Sequence, residues 1–190
     1  MQPSPDRAAQ RSERERVMLL SARTSFAVAL LLAPAPDVAD TPARTLPAAA
    51  AFERLKALSG EWVGKSTKGW TDNVTFKTIA GGSVVVETSF DAHPGETMIT
   101  TFAMDGPRLL LTHYCVARNQ PRLVATGFDE GGSRITFTFL DGTNLPTRDR
   151  GHMDKAVFRF LDEDHFSTRW TWYQDGKETW MEEIRMERKK

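Results

Sequence analysis

Residues 97–116 read Thr-Met-Ile-Thr-Thr-Phe-Ala-Met-Asp-Gly-Pro-Arg-Leu-Leu-Leu-Thr-His-Tyr-Cys-Val. Before the break at Asp105-Gly106-Pro107, alternate positions carry Met98, Thr100, Phe102 and Met104. After it, Leu109, Leu111, His113 and Cys115 recur with the same period of two. Side chains two apart share one face of a strand, so each run predicts a strand whose two faces differ. An Asp-Gly pair between two such runs suits the positive-φ positions of a tight hairpin. The stretch therefore predicts two antiparallel strands, Thr97–Met104 and Arg108–Ala117.

The same pattern extends in both directions. Glu61–Lys68, Trp70–Ile79, Ser83–Phe90, Arg122–Phe128, Arg134–Leu140, Met153–Leu161, His165–Tyr173 and Lys177–Met186 are further alternating runs. Turn-forming residues separate them, among them Gly81-Gly82, Asp141-Gly142 and Asp175-Gly176. About ten strands in serial hairpins predict an all-β domain over 52–190, an antiparallel up-and-down β-barrel. Closure is favoured because it removes both edges of the meander. A two-sheet sandwich is the alternative. Ahead of the strands, Phe52, Leu55 and Leu58 share one face of a short helix that Ser59-Gly60 stops. That helix is placed to cap one end of the barrel.

The N-terminal part has a different character. Residues 1–17 are polar and charge-rich and predict disorder, or an over-extended start ahead of Met18. Residues 18–43 contain a basic residue, Arg23, before a short apolar run, Phe26–Ala33, and small residues follow. This is the layout of a signal peptide, and the run is too short to span a bilayer. An uncleaved anchor and plain disorder are the alternatives. Residues 44–51 are Pro/Ala-rich and read as a linker. The expectation is a periplasmic or secreted protein with no membrane span once the signal is removed.

Composition narrows the function classes. Lys+Arg and Asp+Glu both number 25, so the formal net charge is zero. Nothing there favours nucleic acid as a partner. One cysteine, Cys115, rules out an intrachain disulfide. No Gly-rich phosphate loop, nucleophile elbow or His-x-His metal spacing is present, so no metal ligand set is expected.

A ten-stranded barrel is generally too wide for side chains alone to fill, so an internal cavity is expected. His113 shares its face with Leu109 and Leu111. Phe166, Thr168, Trp170 and Trp172 form an aromatic face. The expected ligand-binding residues are His113, Phe102, Leu111, Phe137, Trp170, Trp172, His152 and Arg122. His113 is the leading one, able to hydrogen-bond a ligand or act as a base. His152 would gate the barrel end or pair with Asp149, and Arg122 would anchor a carboxylate. A buried histidine satisfied by its neighbours is the plain alternative for His113. A small buried hydrophobe is the plain reading of Cys115.

Leu55-Lys56-Ala57-Leu58-Ser59-Gly60-Glu61-Trp62-Val63-Gly64 resembles the opening of lipocalin-like, calycin-type barrels. With Leu111–Cys115, Asn119–Arg122 and Gly151–Met153, it is most similar to the bacterial DUF1579-like families. The resemblance implies a calycin-like barrel, often exported, of unknown function; the expectation of a small hydrophobic or amphipathic ligand in the interior rests on the barrel's width and lining. Nitrobindin-type haem barrels share a similar opening, and there a histidine on a late strand binds the iron. His152 and His165 are the histidines of the late region, and neither falls on that motif. A ligand-binding barrel without a cofactor is therefore the leading expectation. A hydrolase or isomerase using His113 and a haem barrel are the alternatives.

Overall fold

The computed structural model describes residues 47–90, 95–129 and 132–190, the side chain of Trp180 excepted. The segments expected to be disordered and to form an export signal, 1–17 and 18–43, lie outside the described residues. Among the described residues no helix is long and apolar enough to cross a membrane.

Helix α1 (Pro47–Lys56) begins earlier than the spacing of Phe52, Leu55 and Leu58 predicts, inside the stretch read as a linker. Four consecutive alanines are the strongest helix formers, and proline is tolerated in a first turn, where its missing N–H has no partner to lose. Ala48, Ala51, Phe52 and Leu55 make a single buried face.

Ten strands follow: β1 (Gly60–Ser66), β2 (Thr71–Ile79), β3 (Val84–Ser89), β4 (Met98–Asp105), β5 (Arg108–Tyr114), β6 (Gln120–Phe128), β7 (Arg134–Thr143), β8 (His152–Phe160), β9 (His165–Gln174) and β10 (Lys177–Arg188). Each pairs antiparallel with the next, and β1 returns to β10, so the sheet is a closed up-and-down barrel. The seam runs from Trp62 opposite Arg188 to Ser66 opposite Ile184. Gly64 sits within it, where an added Cβ would come within 3.0 Å of Ile184 Cγ2 and 3.2 Å of Met186 Sδ. Arg188 fastens the seam to the helix end. Its guanidinium lies 4.2 Å from the Trp62 ring centre and donates to the carbonyls of Ser59, Ala57 and Glu163.

At β7 and β3 the structure departs from what the local sequence suggests. Asp141-Gly142 is not a hairpin turn but part of β7, opposite Arg122 and Pro121 of β6. A cross-strand Arg122–Asp141 ion pair and a β-bulge beside it carry the pairing through. The inward face of β3 is Val85, Glu87 and Ser89, while Val84, Val86 and Thr88 are less buried. Three consecutive valines leave the alternation of that strand undetermined by hydrophobicity, and the pairing with β4 decides it.

The interior has two halves. At the α1 end, Phe52 and Leu55 lie over a solid aromatic core. Phe166 is its hub: its ring centre lies 4.7 Å from that of Trp62, 5.8 Å from Phe76 and 6.4 Å from Phe158. Phe102 packs edge-on to Phe158 at 5.4 Å. Toward the opposite end, inward positions on β2, β3, β4, β5, β9 and β10 become polar or stand apart, and the barrel is hollow.

Candidate functional site

The hollow half encloses a cavity of about 420 Å³. Its walls are largely aromatic and sulfur-bearing: Trp70, Phe90, Trp170, Trp172 and the methionines Met98, Met153, Met181 and Met186. Trp70 and Phe90 pack against each other at 4.7 Å between ring centres. Against this apolar wall stand four carboxylates, Asp72, Glu87, Glu96 and Glu182. The first, second and fourth are buried and Glu96 is exposed. No lysine or arginine is among the described residues lining the space.

Three adjacent strands place the central polar group. Glu87 on β3 is in register with Thr100 on β4, and Thr100 is in register with His113 on β5. All three face inward and are buried. Residues directly opposite on neighbouring strands have their Cβ atoms about 5 Å apart, so such a row is close enough to hydrogen-bond. Thr100 Oγ1 lies 3.0 Å from His113 Nδ1 and also bonds the Glu87 carboxyl.

Burial shapes the ionisation of this row. Desolvation pushes the Glu87 carboxyl up to about 7; the Thr100 hydrogen bond opposes this and the negative charge of Asp72 adds to it. Desolvation pulls the His113 imidazolium down to about 4, so the ring is neutral near pH 7. The hydroxyl of Thr100 has one proton, which couples the two ends. When Glu87 is ionised, Thr100 donates to it, and His113 Nδ1–H donates to Thr100 Oγ1. His113 Nε2 then carries a lone pair. When Glu87 is protonated on its Thr100-bonded oxygen, the chain reverses and Nε2 carries the proton. His113 Nε2 and Glu87 Oε2 are both buried without a hydrogen-bond partner among the described residues, and both residues line the cavity. Buried polar atoms in native proteins are nearly always paired, so these two atoms hold hydrogen-bonding capacity that the described residues do not use.

The neighbouring acids are already engaged. Asp72 accepts the Phe90 backbone N–H. Glu182 accepts the Ser66 hydroxyl at 2.5 Å. Each has one oxygen engaged, and both add negative potential to the cavity.

The structure sorts the expected residues into three groups. His113, Trp170 and Trp172 line the cavity, and the His113 ring lies 5.0 Å from that of Trp170. Phe102, Leu111 and Phe137 face inward on β4, β5 and β7 but belong to the solid half, where they are fully buried and do not line the cavity. Alternation identifies a face, but not how far along the barrel axis a residue lies. Arg122 and His152 lie away from the cavity. Arg122 is on the outer surface, forked onto Asp141. His152 is wholly buried between Phe139 and Tyr173, at 4.6 and 5.6 Å between ring centres. Its Nδ1–H donates to the Arg150 carbonyl at 2.6 Å, and its Nε2 faces the Arg148 guanidinium. It does not pair with Asp149. Arg148 in turn is held by Asp154. Cys115 is half-buried at the cavity edge, and burial pushes its thiol up, away from the thiolate.

Among the described residues, neither histidine of the late region is placed as a haem ligand. Both nitrogens of His152 are engaged, and His165 is an exposed residue bonded to Asp162 at 2.8 Å. The cavity that His113 lines carries four carboxylates, with no lysine or arginine among its described lining residues.

Glu87, Thr100 and Asp72 carry the site and were not anticipated. Asp72 had a readable signal, since it shares its parity with Val74 and Phe76. Glu87 had none until β3 was aligned against β4.

The chain matches no family model, and no curated protein resembles it in sequence.

Proposed function

We propose that the barrel is a carrier or receptor for a small amphipathic molecule held in this cavity. The apolar body lies against Trp170, Trp172 and the methionines, and the polar end meets Glu87 and His113. The observation that supports this is the pairing of a 420 Å³ space, walled by aromatic and thioether groups, with two buried orphan polar atoms. Pockets for small ligands have this size and this mix, a mostly apolar lining with a few placed polar groups. The solid packing of the other half makes the hollow a local feature of the sequence rather than a general looseness of the barrel.

The same reading places the chain with the calycin-type, DUF1579-like barrels. Its support is the Leu-x-Gly-x-Trp-x-Gly opening, now seen as the entry into β1, together with the ten-strand closure. It also takes residues 18–43 as an export signal, on the strength of Arg23 ahead of a short apolar run. The protein would then act in the periplasm or outside the cell.

Titration of tryptophan fluorescence with an octyl amphiphile tests the proposal. Saturable binding is expected, and Ser89→Phe, which fills the cavity from β3, is expected to abolish it while circular dichroism shows the barrel intact. Binding that persists in this variant would place the ligand elsewhere and end the proposal.

A second reading rests on the hydrogen-bond row itself. A neutral His113 on the cavity wall, backed by Thr100 and Glu87, is arranged to take and return a proton. An isomerase or hydrolase would use it as the base. Loss of turnover in His113→Gln, with amphiphile binding retained, would favour this reading over simple carriage.

A further inference from the structure

We infer that the ligand is an organic cation, a primary or secondary amine on an apolar body, whose ammonium group bridges Glu87 Oε2 and His113 Nε2. This rests on the reading of the cavity as a binding site and adds the chemical class of its occupant.

Three observations converge. The first is charge. Asp72 from β2, Glu87 from β3, Glu182 from β10 and Glu96 at the end of the β3–β4 connection bring carboxylates to one space that has no lysine or arginine among its described lining residues. A carboxylate or phosphate ligand would enter against like charge in a medium that screens poorly. The second is hydrogen-bond parity. With Glu87 ionised, Thr100 has spent its proton on Glu87 and His113 has spent its own on Thr100. Both orphan atoms are then acceptors. An occupant that meets both must supply a donor to each, which an ammonium group can do and an ether, ester or carboxylate cannot. A single hydroxyl would fill one acceptor and leave the other bare. The third is the wall. Trp70, Trp170 and Trp172 present indole rings to the same space, and an indole face is the most favourable aromatic surface for a cation.

The arrangement has a proton linkage. An empty cavity holds Glu87 partly protonated near neutrality, because burial pushes its carboxyl up to about 7. A bound ammonium favours the carboxylate and drives that proton off. Binding of the amine therefore strengthens as pH rises through about 7 and then levels off, as long as the amine itself stays protonated. His113, pulled down to about 4, stays neutral across this window. Asp72, Glu182 and Glu96 are the other carboxyl groups in the lining and add to the preference for a cation; Cys115, whose thiol burial pushes up, is the remaining titratable group there.

The test uses probes that share one tail: octylammonium, 1-octanol, octanoate and octyltrimethylammonium, each titrated calorimetrically into the wild-type protein. Octylammonium is expected to bind tightest, and at pH 6.5 to release protons in two buffers of different ionisation enthalpy. Glu87→Gln, which keeps the shape of the side chain, is expected to weaken octylammonium about ten- to a hundredfold, the usual loss for a buried charge-assisted hydrogen bond, and to leave 1-octanol nearly unchanged. Octanol or octanoate binding as tightly as the amine would overturn the inference and leave the amphiphile cavity standing. A tighter octyltrimethylammonium would overturn the two-donor bridge, since that cation has no N–H to give. Absence of binding by every probe would overturn both readings together.

Discussion

Thr100 Oγ1 lies 3.0 Å from His113 Nδ1, on the strand that separates His113 from Glu87. One hydroxyl thus links a buried acid to a buried base, and the two are shifted in opposite senses.

The opposite shifts predict a hidden pH dependence of stability. Glu87 rises from 4.5 to about 7 on folding, so the folded state holds a proton that the unfolded state has lost, and stability falls as pH rises between those values. His113 falls from 6.5 to about 4, so the unfolded state holds the extra proton and stability rises as pH rises between those values. Over the overlap the two slopes offset. Glu87→Gln should unmask the histidine, with stability rising by about 3 kcal/mol toward pH 6.5; His113→Phe should unmask the acid, with stability falling by about as much toward pH 7. Urea denaturation at a series of pH values measures both, and parallel profiles for the two variants and the wild type would contradict the assignment.

The two halves of the interior should respond differently to truncation. Phe166→Ala opens a hole at the hub of the solid half and is expected to destabilise the barrel by about 3–5 kcal/mol. Trp172→Ala enlarges a space that already exists and should lower stability much less while weakening amphiphile binding. Chemical denaturation paired with ligand titration separates the two effects. Equal stability losses would deny the division.

Arg188 should behave as a fork rather than a charge. It reaches three carbonyls and covers the Trp62 ring. Arg188→Ala is expected to lower stability by about 2 kcal/mol, and Arg188→Lys to recover only part of it, because an ammonium cannot address all three carbonyls in one geometry. Full recovery in the lysine variant, seen by thermal melting, would reduce Arg188 to its charge.

Gly151 should set the position of Trp172. A Cβ there would lie 2.3 Å from Trp172 Cζ2 and 2.8 Å from Gln174 Oε1. Gly151→Ala is expected to push the indole toward the cavity, shifting tryptophan emission and weakening octylammonium about tenfold, as for a loss of ~1.4 kcal/mol of packing. Unchanged emission and affinity would show that the ring yields in another direction.

Much of the architecture was legible because hairpin chemistry and alternation are local. The 97–116 stretch alone implied two strands and their turn, and the neighbouring runs implied the meander. The site was less legible because it depends on registers between strands. His113 stood out as a polar residue on an apolar face, whereas Glu87 lay behind a run of three valines whose parity only pairing resolves. Asp141-Gly142 misled for a related reason: an ion pair across β6 and β7 outweighs the turn preference of the dipeptide. His152 looked like a residue at a rim, yet Arg148, Phe139 and Tyr173 enclose it through a loop whose path alternation does not address.

The seam between β1 and β10 also governs the order of assembly. The strands that close the barrel are the first and the last, so closure demands the longest-range pairing in the described fold, and such high-contact-order topologies fold slowly. A nascent chain ending before Lys177 leaves β1 and β9 each with an open edge, which only the twelve residues of β10 can cover. A chain interrupted just short of β10 keeps both edges open and is a template for edge-to-edge association.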